Sequence, residues 1–233
     1  MNVLAWIALC VASLFAAFPP AASAAEINHT AISNRIIKET GRKFGESAAN
    51  RVIAWSNLVI ENKDKPVAEK LVLANDFINR IPIKSDNDLW GHSHWSTPYE
   101  MLARNAGSHA DHAIAKYVTL EAMGVSVDHL HITHVHSMAT PDQSYMVLTY
   151  HPEPGAMPLV LDTVNGQIKL ANERTDLVPE NSFNDNAMWL PGTQDDGRDN
   201  MSEEAAKHIE LWNEMNIRMD SELLSTEDPS SMW

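Results

Sequence analysis

The run Gly107-Ser108-His109-Ala110-Asp111-His112 gathers polar groups where a helix should begin. Ser108 is a favourable N-cap, and Asp111 three residues on can complete a capping box. His109 is then the first helical position and is expected to project into a cleft. His109 and His112 stand three apart on one helix face. With Asp162 they form a speculative metal set, since imidazole pairs suit zinc or copper. The chain has 11 histidines, and His92, His94, His131, His134 and His136 lie near this run. No tight ligand signature of the HExxH kind accompanies them. Histidines 129, 131, 134 and 136 share one strand segment, and the plainer reading makes them solvated strand residues.

Two hydroxyls invite a nucleophile reading, Ser108 and Ser144. Ser108 serves better as a cap, because it and His109 point in different directions on a helix. The positive field of a helix N-terminus disfavours an imidazolium, so His109 is expected to stay mostly neutral. Tyr145, with an unperturbed pKa near ~10, cannot act as a general base at neutral pH. Trp90 and Trp95 either line the cleft or pack beneath it.

The elements that must hold these residues can be read from periodicity. Val52, Trp55, Leu58 and Val59 recur at helical spacing within 42–62. A second helix spans about 66–79, with Leu71, Ala74, Phe77 and Ile78 inward. The segment 85–95 reads as a loop. Thr97, Pro98 and Glu100 make a cap, a first-turn proline and a capping box. The Ser108 helix runs through Ile114, Tyr117 and Val118 and stops at Gly124. Strands are expected at 130–137 and 144–151, with Pro141-Asp142 in the turn. Two more, 158–164 and 167–170, flank Asn165-Gly166, a hairpin signal. Residues 171–198 read as irregular. A last helix spans about 201–224, capped by Asn200, with Ala205, Ile209, Trp212, Met215 and Met219 inward. Helices first and an antiparallel sheet after them give an α+β fold.

The net charge of −14 argues against nucleic acid or anionic lipid as a main partner. Residues 1–24 read as a secretory signal: an apolar run, then Ala22-Ser23-Ala24 as a cleavage pattern. An uncleaved anchor is the alternative, although the run is short for a span. The expected organisation is a signal at 1–24, a lead-in at 25–41, one domain at 42–225 and a tail at 226–233. The sole cysteine, Cys10, falls inside that signal, so the mature chain would hold no thiol.

Particular runs extend this reading. DKP (64–66), NDF-N (75–79), LWG (89–91), WSTPYE (95–100), AIAKY (113–117), MVL-Y (146–150), PLVLD (158–162) and SFN (182–184) resemble the bacterial transglutaminase-like cysteine proteinases, the LapG-type periplasmic proteases. The resemblance covers about residue 43 to the C-terminal helix. It implies a papain/transglutaminase-like core with N-terminal helices, a central helix packed on an antiparallel sheet, and a C-terminal helix. In that family the central helix starts with the catalytic cysteine, and the histidine and aspartate lie on neighbouring strands.

The resemblance also implies a degenerate triad. The family reads Gly-Asp-Cys-Glu-Asp-Tyr where this chain has Gly107 to His112, so the cysteine position holds His109. The family's histidine, just before Met-Val-Leu, is Tyr145 here, and only Asp162 matches. The acids flanking the family's cysteine help bind calcium. They correspond to Ser108 and Ala110, so no calcium or other cofactor is expected.

The function these substitutions imply is that of an inactive periplasmic protein that keeps its binding surfaces. Its partners would be the N-terminal region of a large surface adhesin, or the inner-membrane receptor that answers to cyclic di-GMP. It would modulate adhesin proteolysis and biofilm formation. An active hydrolase with altered or metal-dependent chemistry, and a periplasmic metal-binding protein, are the alternatives.

Overall fold

A computed structural model describes residues 34–139, 144–186, 188–189 and 202–224. The signal at 1–24, the Pro141-Asp142 turn, the Asn200 cap and the tail at 226–233 lie outside the described residues.

Two helices, α1 (Asn34–Phe44) and α2 (Glu46–Asn62), begin the described chain. The lead-in is therefore helical from residue 34, where a loose segment was expected, and it buries Ile36 and Thr40. Gly45, at φ 88°, breaks the two helices apart in a conformation that favours glycine. Next come α3 (Val67–Ile78), the short α4 (Asp86–Trp90) and α5 (Pro98–Arg104). The α4 turn stands where a loop was expected: Ser85 Oγ accepts the Asp88 amide and nucleates it. The expected capping box of α5 is present, with Thr97 Oγ1 accepting from the Glu100 amide and Glu100 Oε2 from the Thr97 amide.

The central helix is α6 (His109–Ala122). It is enclosed by α2, α3 and α5 on one side and the sheet on the other. Enclosure buries polar positions that a one-stripe reading leaves outside, including His112, Lys116 and Thr119. Each finds a partner, as buried polar groups must: Thr119 Oγ1 accepts from Trp55 Nε1 at 2.7 Å. Lys70, on α3, donates to the Met123 carbonyl at 2.7 Å and places a cation at the C-terminal end of α6.

The sheet contains β1 (Leu130–Ser137), β2 (Ser144–Tyr150), β3 (Leu159–Leu161), β4 (Lys169–Leu170), β5 (Leu177–Phe183) and β6 (Met188–Trp189). Its order is β4-β3-β2-β1-β5-β6, antiparallel throughout. Leu130, Ile132, Leu148 and Leu161 face the core, where burying each such side chain is worth roughly 1.5–3 kcal/mol. Val135, Val147 and Val160 form a second, smaller cluster.

Two strand readings need correction. The 171–198 stretch contains β5 and β6, because Leu177–Phe183 pairs with β1 despite its Pro179 and Glu180. The 158–164 and 167–170 strands shrink to three and two residues, and the hairpin connection is longer than the two residues Asn165-Gly166 suggested. Finally, α7 (Glu203–Leu224) docks through Ala205, Trp212, Met215 and Met219. Ser202 Oγ accepts the Ala205 amide at its start. Among the described residues, no helix is long and apolar enough to cross a membrane.

Candidate functional site

The start of α6, the start of β2 and the segment 83–87 meet at a cleft of about 560 Å³. His109, Tyr145, Trp95, Lys84, His134 and His208 are among its walls.

The start of α6 is held by one carboxylate. Asp111, wholly buried, accepts the Ser96 amide at 2.6 Å, the Ser96 hydroxyl at 3.1 Å and the Ser108 amide at 2.8 Å. Ser108 Oγ accepts the Asp111 amide in return, so the expected capping box exists. Burial nevertheless pushes the Asp111 carboxyl up to about 6. Gly107 leaves room for this arrangement: a Cβ there would stand 2.9 Å from the Asp111 Cβ and 3.0 Å from Met101.

His109 then reaches the cleft. Its Nδ1 lies 2.7 Å from Thr163 Oγ1, and its ring centroid 4.9 Å from that of Tyr145. Burial lowers its pKa, against the opposing pull of Asp162 and with a smaller push from Lys116. The imidazole is therefore neutral at pH 7. The expected direction holds, although its main cause is desolvation.

Tyr145 and Asp162 meet as neighbours. Tyr145 Oη donates to Asp162 Oδ2 at 3.2 Å, and burial followed by the Asp162 charge pushes the phenol up to about 12. Asp162 is buried and further satisfied by Arg174 Nη2 at 2.7 Å and the Val164 amide at 3.0 Å. Arg174 also binds Asp176 with two nitrogens. Behind the site, buried Lys116 approaches the Leu161 carbonyl at 3.4 Å. Desolvation pushes this amine down to about 7, with Asp162 opposing. Chemically, the floor offers a neutral imidazole, a protonated phenol and a carboxylate already neutralised by a guanidinium. That set can donate and accept hydrogen bonds, but it holds neither a thiol nor an imidazole that Asp162 could orient.

The speculative metal set does not converge. His112 is wholly buried, and both ring nitrogens face carbonyl oxygens, Ser108 O at 2.7 Å and Ile81 O at 2.9 Å. Neither nitrogen is directed at a cation. Among the described residues, no three His, Cys, Asp or Glu side chains gather to hold a metal ion. A calcium ion needs six to eight oxygens. At the corresponding positions Ala110 has no side-chain oxygen, Ser108 Oγ caps the helix, and both Asp111 oxygens are engaged. Asp86 Oδ1, buried without a hydrogen-bond partner among the described residues, is one remaining donor. The residues present do not fit calcium.

The strand histidines are solvated only in part, the His136 side chain being 40% exposed. His134 is buried, with Nδ1 2.6 Å from Glu180 Oε2, and His136 Nε2 takes the other oxygen of the same carboxylate. His131 stacks on His151 at 4.1 Å, and burial pushes it down to about 4. Of the two tryptophans, Trp95 lines the cleft, while Trp90 packs against His94 and beneath the Arg104 guanidinium, each at 4.0 Å. Ser144 lies at the cleft edge and is exposed. Sequence reasoning missed Thr163, Arg174, Lys116 and His208. Thr163 adjoins Asp162 and was within reach of a neighbour search, whereas Arg174 sat in a stretch read as irregular and carried no signal.

No family model and no curated protein matches the sequence. Solved structures do. Legionella pneumophila LapG is 33% identical and aligns over 79% of this chain and 96% of its own, with a TM-score of 0.66. The EGTA-treated form gives 34% identity, the same coverage and 0.67. The calcium-bound form gives 33% identity over 81% of this chain and 99% of its own, again at 0.67.

Proposed function

The chain belongs to the LapG family of papain/transglutaminase-like cysteine proteases, and from that premise we propose that it is a member without protease chemistry that binds rather than cuts. The observation that carries this reading is the site floor, where a neutral His109, at the position the resemblance assigns to the nucleophile, stands beside a Tyr145 that hydrogen-bonds Asp162. A cysteine protease works through a thiolate activated by an imidazole. The sole cysteine of this sequence is Cys10, within the segment read as an export signal. Around the floor the framework motifs persist, and because they are largely buried they support a retained fold.

The partners proposed are the N-terminal region of a large surface adhesin, or the periplasmic domain of the cyclic di-GMP receptor that restrains the family's proteases. Holding either would shift how much adhesin is cut, and through it biofilm formation. Periplasmic export through residues 1–24 belongs to the same proposal. The test is to titrate the purified protein against an adhesin N-terminal fragment and against the receptor's periplasmic domain, with mass spectrometry of the fragment alongside. Saturable binding to one of them with an intact fragment is expected. Specific cleavage by the unaltered protein, or no binding to either, would sink the proposal.

A further inference from the structure

We propose that His208 is an acid-released latch, which holds the N-terminal half of α7 against the cleft wall while neutral and loosens it when protonated. The geometry begins with the ring itself. His208 lies between two other rings, stacked on Trp95 at 5.6 Å and edge-on to His134 at 4.9 Å. Trp95 is 4% exposed and stacks in turn on Phe183, so the seat is rigid on that side. His134 is 4% exposed and pairs with Glu180. The Nδ1 atom of His208 is buried and has no hydrogen-bond partner among the described residues. A neutral ring tolerates that seat. A proton on Nδ1 would place an unsatisfied charged donor there.

The charges that face this ring are few. His134 and His136 come from β1, Glu180 from β5, and Lys207 from α7 itself. Across the cleft stand His109 from α6, Tyr145 from β2, and Lys84 and Asp86 from the segment before α5. Glu180 is the near anion, but His134 and His136 each occupy one of its two oxygens. A third imidazolium would meet a carboxylate already shared. Burial, then His134 and Lys207, push His208 down to about 4, against the pull of Glu180. With the folded value below the ordinary 6.5, docking is at full strength above about pH 6.5 and is lost progressively as pH falls toward 4.

The rest of α7 does not share this sensitivity. Glu222, near its other end, is held well above the usual carboxylate range by burial and by Glu100, and it accepts from Thr97 Oγ1 at 3.1 Å. Arg218 binds the Trp95 carbonyl. Loosening should therefore start at the His208 end, beside the cleft, with the Glu222 end still attached.

The experiment is hydrogen exchange on the full chain from about pH 7 to about pH 4.5, corrected for intrinsic rates, with imidazole titration by NMR. Protection around His208 is expected to fall at least about tenfold, the equivalent of one pKa unit. Protection in α3 should persist, and the His208 resonance should titrate with the change. His208→Phe keeps the stacking without the proton, and His208→Gln removes the charge differently. Both should keep α7 protected at the acid end. The latch is overturned if wild-type α7 stays protected, if both variants open with the wild type, or if α3 and α7 lose protection together.

Discussion

Replacing Arg174 by methionine would leave the buried Asp162 carboxylate with only the Tyr145 hydroxyl and the Val164 amide. Breaking a buried pair from one side typically costs about 3–5 kcal/mol. Urea unfolding of Arg174→Met should show a loss of that size, and a change below about 1 kcal/mol would mean the pair does not hold this loop. Restoring catalysis should be harder than restoring the triad letters. His109→Cys with Tyr145→His should give little or no cleavage of an adhesin fragment. Adding Ser108→Asp and Ala110→Glu should bring calcium binding and weak cleavage, because the helix start must be held as well as furnished. Strong cleavage by the double variant would refute the calcium argument. That His109, Tyr145 and Asp162 meet was legible because framework motifs lie on either side of each. Arg174 was not, since a lone arginine in a polar run says nothing about the acid it meets across the fold.

At the scale of elements, caps were the most readable feature. Thr97 with Glu100 and Ser108 with Asp111 signal helix starts through local hydrogen bonds, and both boxes exist. Strand β5 was unreadable because its pairing with β1 is decided by tertiary contact, while its proline and polar residues mimic a loop. The histidines of β1 misled for a related reason. A polar side chain in a strand usually faces water, but here Glu180 on β5 and His208 on α7 cover His134, and His151 covers one face of His131. The Ser108 box also predicts independence from calcium. The melting temperature should move by less than about 1 °C between excess calcium and EGTA, since an ion that does not bind the native state cannot stabilise it. A rise of several degrees in calcium would show a site that the side chains do not suggest.

For the whole molecule, burial shifts several ionisable groups toward their neutral forms, and they pull in opposite directions with pH. His131 and His208 are pushed down to about 4 by burial, and His109, His112 and His151 are lowered as well. For His131 and His208 the contribution is complete above about 6.5 and declines toward 4, and the other three act in the same direction. Asp111 is raised to about 6 and Glu121 to about 7, again by burial. Their contribution is complete below about 4 and declines as pH rises to those values. Removing one histidine should therefore tilt the balance visibly. His131→Gln should flatten the acid limb of a stability-versus-pH curve between about 6.5 and 4, by up to about 3 kcal/mol. An unchanged slope would show that His131 titrates normally in the fold.

The carboxylate that fastens the start of α6 also has a kinetic meaning. Asp111 ties Ser96 and Ser108 together through hydrogen bonds internal to the chain, so the start of α6 is expected to hold its place independently of a partner. Association should then be a single step. Stopped-flow rates should rise in proportion to partner concentration, with a slope in the ordinary range of about 10⁵–10⁷ M⁻¹s⁻¹. A plateau at high concentration would reveal a slow rearrangement, and would mean that the floor is completed only during binding.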